Sequence, residues 1–418
     1  MRSEFDVIVV GGGAAGLMAA GKAAERGKSV LIVEKNKRLG EKLRITGGGR
    51  CNITNAELDR RVLLKHYGKG EQFLYSAFSQ FGVEQTFLFF ESLKLPLVVQ
   101  ARKRAFPHTE RAEDVFLALE RYLRKGKVTV RTESKVTRIK STPTEDGTRK
   151  IQSIICGKEE FKAASVIFAT GGVSHPETGS TGDGFRWLEK LGHTVVAPSP
   201  TIVPLAVQEE WAKKMPGVSL SFMKITFFLE GKKQFSKTGK ILFTHFGISG
   251  PLILNAAKRV GDLLQSGAVT AAIDAFPHTD LGSLERRIIA VFDRTKNKMI
   301  KNALADIVPA GTDECILELL RGRIDPDTKV HSITKEQRKH LVQLLKALPL
   351  TITGLMGYDR AVIADGGIPL TEMDMRSMRS QKVKNLFLTG DLLHVNRPSG
   401  GYSLQLCWTT GAVAGTHA

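Results

Sequence analysis

At 418 residues, 42% of them hydrophobic, the chain can bury a large core and has the length of two or three domains. Its 25% share of charged residues excludes global disorder, and four cysteines without a CxxC pair exclude a disulfide framework or zinc site; a reduced, cytoplasmic setting is expected. No apolar run approaches the roughly 20 residues needed to span a bilayer, residues 1–5 lack a secretory pattern, and no membrane or metal partner is expected, while the net charge of +19 suits polyanions without naming one.

The first predicted strand, Phe5–Val10, is a β-branched run of the kind buried in a parallel sheet. Gly11, Gly13 and Gly16 follow in GxGxxG spacing, Ala14 and Ala15 open a predicted helix to Ala24, and Ser29–Val33 forms a second strand closed by Glu34. Gly11 permits the tight turn, Gly13 lets backbone approach a pyrophosphate, and Gly16 brings helix and strand together. The helix start offers free N–H groups to phosphates, and the Glu34 carboxylate can accept ribose hydroxyls. Strand, loop, helix, strand and acid in this order within about 30 residues predict a dinucleotide site. Lys35, beside Glu34, and Val136 are counted with it.

The next segment, Lys42 to Asn55, is rich in glycine and backbone-seeking side chains and suits a loop lying along an extended cofactor. Lys42, Thr46, Gly47, Gly48, Arg50 and Asn52 are its cofactor-binding candidates. Cys51 follows Arg50, a cation that can lower a thiol pKa, which makes Cys51 a candidate proton donor; the alternative is a small buried hydrophobe. Residues 100–111 hold Arg102, Lys103, Arg104 and Arg111 with Phe106 and His108, suited to phosphates and a stacked base or to a plain surface hairpin.

Ala164–Phe168 reads as another buried strand, ending in the turn Ala169-Thr170-Gly171 that returns to the nucleotide. Gly179–Gly184 then opens a short helix, but no second strand–acid unit follows, so a separate NAD(P) domain is not expected. Residues 196–275 alternate as strands, with a hairpin turning at Gly231, and residues 281–346 read as helices with basic faces. Near the end, Asn385–Leu388 is a strand running into Gly390-Asp391, followed by Gly400, Gly401, Tyr402 and Leu404 at the start of a small-residue helix. Both ends of the chain therefore build one cofactor domain around an insertion.

Taken together, Gly11–Gly16, Ile45–Asn52, Phe243–Pro251, Gly366–Ile368 and Ser399–Tyr402 resemble the BaiN/RdsA-type (YhiN-like) family of flavoproteins. The resemblance implies FAD, and an α/β, Rossmann-like, glutathione-reductase-like domain carrying a β-barrel-like insert and a small helical one. The expected boundaries are 1–195 and 349–418 for the FAD domain, 196–275 for the barrel and 276–348 for the helices. Asp391 stands where the family usually has Glu, which leaves its partner open, and Cys407 is read as packing. Reduction of a C=C bond needs a proton donor, for which Cys51, His245 and Tyr402 are the candidates. The family implies either uridine reduction in large-subunit ribosomal RNA or reduction of steroid-like enones, with NAD(P)H as reductant. The +19 charge favours ribosomal RNA; a non-catalytic flavin-bound RNA-binding factor is the further alternative.

Overall fold

The computed structural model describes residues 3–418. It divides into two compact units, one reaching Ser199 and resuming over Val362–Ala418, the other Pro200–Ala361. Along the chain the strands are β1 (Glu4–Val10), β2 (Val30–Val33), β3 (Thr54–Asn55), β4 (Leu97–Gln100), β5 (Arg104–Pro107), β6 (Thr129–Arg131), β7 (Val136–Pro143), β8 (Arg149–Cys156) and β9 (Glu159–Phe168). After β10 (Val196–Ile202), which leads out of the first unit, come β11 (Leu205–Val207), β12 (Ser219–Leu229), β13 (Lys232–Thr244), β14 (Gly247–Ser249), β15 (Val269–Asp274) and β16 (Leu348–Leu355). The first unit resumes with β17 (Ile363–Gly367), β18 (Met373–Asp374), β19 (Arg379–Ser380) and β20 (Leu386–Leu388).

In the first unit the main sheet runs β18-β19-β20-β9-β1-β2-β6, with β8 and β7 branching from β9. Its middle is parallel: β1 aligns Val7 with Val30 of β2 and with Ser165 of β9, and β20 lies parallel to β9. Val7, Ile8 and Val9 are fully buried, as expected for a strand covered on both faces. Helix α1 (Ala14–Glu25) connects β1 to β2 and packs against the last helix, Tyr402–His417. Glycines make that approach possible, since a Cβ on Gly411 or Gly415 would strike the carbonyl oxygen of Ala15 or Ala19. The two ends of the chain thus meet in one helix pair and one sheet. A separate antiparallel sheet, β3-β5-β4, completes the unit.

The second unit is a closed barrel, β11-β14-β13-β12-β15-β16. Here the structure differs from the expected boundaries. The last barrel strand, β16, follows the helices Leu281–Arg294, Asp313–Leu320 and Lys335–Lys346 rather than preceding them. It pairs Leu350 with Ala271 of β15 and Leu205 with Leu355, so residues 349–361 belong to the barrel and not to the FAD domain. The helices share one core with the barrel, Ile288, Leu341 and Leu345 lying in the same cluster as Ile225 and Ile273. The helical stretch is therefore not a body of its own. No helix of the described residues is long and apolar enough to cross a membrane, and no three His, Cys, Asp or Glu among them gather as a metal site.

Candidate functional site: a dinucleotide cradle

The β1–α1 turn has walls that only glycine can form. Gly11 has φ +105°, and a Cβ on it would lie inside van der Waals contact of the Ala169 carbonyl. A Cβ on Gly16 would overlap the Gly11 carbonyl oxygen. Gly13 is different: it precedes α1 with no side chain capping the helix, and a Cβ there would meet nothing within 4 Å. Among the described residues no side chain caps the first-turn N–H groups of α1, at the point where a pyrophosphate would bind, and the helix dipole favours an anion there. Glu34, buried at the end of β2, accepts hydrogen bonds from the N–H of Gly12 (2.7 Å) and of Asn36 (2.8 Å). Each oxygen keeps a lone pair for a ribose hydroxyl.

Lys35 donates to Thr181 Oγ1 (2.6 Å) and pairs with Asp183 (2.8 Å), while Lys42, on helix α2 (Glu41–Ile45), donates to Ser174 Oγ (2.6 Å). Thr46 Oγ1 caps the Lys42 carbonyl (2.8 Å), and Gly47, Gly48 and Gly49 all take positive φ, so the loop turns with its backbone uncovered. Ala14 is half-buried and Ala15 buried in the first turn of α1, Val136 is buried at the start of β7, and Leu404 is buried in the last helix. After β9, Thr170 Oγ1 is buried without a hydrogen-bond partner, and Gly171 has φ 69°.

The C-terminal segment closes on the same loop. With its amide oriented to satisfy both ends, Asn52 accepts from Gly401 N–H (3.0 Å) and donates to the carbonyls of Thr54 (3.0 Å) and Ala105 (3.2 Å). Asn55 Nδ2 donates to Gly400 O (3.3 Å), so the Gly400-Gly401 turn is held from two sides. Gly390 donates to Thr410 Oγ1 (3.0 Å). Asp391 finds the partner that its sequence left open: it forms an ion pair with buried Arg397, with Lys42 Nζ 3.7 Å away. Burial alone would raise the Asp391 carboxyl, but Arg397 and Lys42 hold it below its ordinary value. Arg397 also donates to Val395 O (2.7 Å) and Ser403 Oγ (3.0 Å). No sequence motif assigned Arg397 a role; an acid shortened by one methylene before a glycine-rich turn was the available signal.

The three proton-donor candidates fare differently. Cys51 has no solvent exposure, and burial pushes its thiol up rather than down. Arg50 does not reverse this because its guanidinium is engaged by Glu110, Gln100 Oε1 (2.7 Å) and the face of Phe106. The expectation of a cation-lowered Cys51 is therefore corrected to a buried, neutral thiol. His245 belongs to the second unit, exposed on the β13–β14 turn with its ring edge-on to Phe246. Tyr402 lies beside Gly400, its ring against His66 (centroids 4.8 Å apart) and its carbonyl accepting from Tyr67 Oη (2.9 Å). Burial raises its phenol, which is protonated at neutral pH. Cys407, half-buried in the last helix, is raised to about 12 by burial first and by Asp391 second, in keeping with a packing role.

A glycine-walled dinucleotide cradle, closed by both ends of the chain on one parallel sheet, defines an FAD-binding flavoprotein oxidoreductase. A family model described as the HI0933-like protein Rossmann domain matches residues 5–417, and the chain belongs to that family. It is 29% identical over 413 residues to the 3-dehydro-bile acid delta(4,6)-reductase of Clostridium scindens, covering 98% of each chain. It is 28% identical to the ribosomal RNA dihydrouridine synthase of Haemophilus influenzae, over 98% of this chain and 97% of that one. Among solved structures, the 3-ketosteroid delta1-dehydrogenase of Sterolibacterium denitrificans shares the fold, with TM-score 0.55 and 14% identity over 100% of this chain and 99% of that one. The family resemblance read from the motifs is thereby established.

Proposed function

We propose that this protein reduces the C5=C6 bond of uridine to dihydrouridine in large-subunit ribosomal RNA, with NAD(P)H as the electron source and the cytoplasm as its setting. The observation that carries this reading is cationic. The net charge is +19, and in the hairpin beside the Gly400-Gly401 turn Arg102 and Arg104 have no carboxylate partner among the described residues, whereas Lys103 pairs with Glu57. A steroid needs no polycationic surface, whereas RNA binding draws on one. The full-length similarity to ribosomal RNA dihydrouridine synthases points the same way. The similarity to a bile-acid reductase keeps an enone of steroid type as the second reading.

Bound FAD supplies the hydride equivalent. The chain's part is to hold the base and deliver a proton to the neighbouring carbon. We assign that delivery to Tyr402, whose phenol is held protonated and whose ring is ordered by His66 and Tyr67. Nucleoside mass spectrometry of ribosomal RNA, from cells with and without the gene, tests the substrate. Loss of one dihydrouridine is expected; an unchanged content would rule the reading out. A flavin that NAD(P)H reduces but RNA does not reoxidise would leave an RNA-binding factor instead.

A further inference from the structure

The β4–β5 hairpin concentrates positive charge that the protein itself leaves uncompensated. Of its cations, Lys103 pairs with Glu57, and neighbouring Arg50 pairs with Glu110. Among the described residues neither the Arg102 nor the Arg104 guanidinium makes an ion pair or side-chain hydrogen bond. Burial, then the charges of Arg102 and Arg50, lower the pKa of Arg104, so these cations sit close enough to repel one another. A third anion would relieve that repulsion.

The backbone is also under strain here. Arg102 (φ 62°, ψ 33°) and Lys103 (φ 56°) are successive non-glycine residues in the left-handed region, which costs on the order of 1–2 kcal/mol each. Their carbonyls show what holds them. Asn55 Nδ2 donates to Arg102 O (3.3 Å), Ala56 N–H donates to Lys103 O (2.6 Å), and Asn55 pairs with Arg104 in the β3–β5 ladder. Asn55 is also the residue that holds Gly400 O. The arginine tip and the glycine turn therefore share one rigid scaffold. On β4, Val98 is 39% exposed and, pairing with Phe106, lies on the same face of the hairpin as Arg104.

We propose that Arg102 and Arg104 form a phosphodiester clamp that grips the RNA backbone next to the target base, with Val98 covering an adjoining sugar or base face. Guanidinium groups suit this task because their fixed donors meet two phosphate oxygens at once. The inference rests on RNA being the substrate.

The test is binding of a labelled single-stranded, uridine-containing RNA to full-length, FAD-loaded protein, followed by fluorescence anisotropy from about 50 to about 200 mM salt. Affinity of the unaltered protein should fall steeply over this range. Arg102→Gln with Arg104→Gln should reduce the slope of log K against log salt by about 1.4, at about 0.7 per lost single-strand phosphate contact. Flavin content and melting temperature should be unchanged. Arg102→Gly alone, which relieves the positive φ and so is not expected to unfold the hairpin, should remove about half of that slope. As a charge-matched control, Lys232→Ala with Lys233→Ala on the β12–β13 hairpin should alter the slope less. An unchanged slope in the arginine variants, or an equal change in the lysine control, would overturn the clamp while leaving RNA as substrate. Absence of salt-dependent RNA binding by the unaltered protein would remove both.

Discussion

Asp391 and Arg397 show how one ion pair ties a flavin cradle to its surroundings. Arg397 is buried, so its charge depends on Asp391 and on the carbonyl of Val395. Asp391→Asn keeps the shape but leaves a buried guanidinium short of its counter-charge, and is expected to cost about 3 kcal/mol. A thermal melt with a flavin-content assay checks this; an unshifted melting temperature would show that solvent or Ser403 compensates Arg397. Gly16 makes a sterically simpler case. Any Cβ there overlaps the Gly11 carbonyl, so Gly16→Val should yield protein without flavin, while Gly27→Ala, where a Cβ meets nothing within 4 Å, is expected to keep it even though its φ of +77° brings some strain. Retained flavin in Gly16→Val would disprove the close-packing role.

Between elements, a buried histidine joins the helix Asp183–Lys190 to the β18–β19 region. His193 Nδ1 meets Glu372 (2.7 Å) and its Nε2 meets Ser380 Oγ (2.7 Å). Ser380 Oγ also accepts from the N–H groups of Lys382 and Val383, which completes its valences around a neutral imidazole. Burial lowers the His193 pKa from 6.5, so the folded state resists protonation that the unfolded chain accepts. Its stabilising contribution is therefore full above 6.5 and is lost as pH falls below that value. Glu372 acts at lower pH: burial would raise it, but hydrogen bonds from Thr194, His193 and Lys382 bring it from 4.5 to about 2, so its contribution fades as pH drops below 4.5. Thermal melts between pH 8 and 5 should show a decline below about 6.5 that His193→Phe removes, along with a loss near 2 kcal/mol at pH 8, roughly the worth of two buried hydrogen bonds. Parallel pH profiles for both proteins would place the decline elsewhere.

For the molecule as a whole, two separate apolar cores matter most. The sheet and its helices form one cluster, and the barrel with its helices forms another, from Val203 to Ala361. A fragment spanning 200–361 has its own closed barrel and should melt cooperatively without binding flavin. A broad, non-cooperative transition in circular dichroism would show that its core is incomplete.

Local pattern carried the sheet, the cradle and the family. Phe5–Val10, the three spaced glycines and Glu34 are legible because turn sterics, helix-start N–H groups and strand periodicity act within a few residues. Gly390-Asp391 and Gly400-Gly401 were legible as turns for the same reason. Tertiary structure decided what depends on contacts distant in sequence. It joined β16 to the barrel across the helices, paired Asp391 with Arg397, and buried Cys51 while Glu110 and Gln100 took up Arg50. A thiol's pKa follows from burial and from where neighbouring charges point, and strand order follows from pairing partners. Neither is written in the spacing of a motif.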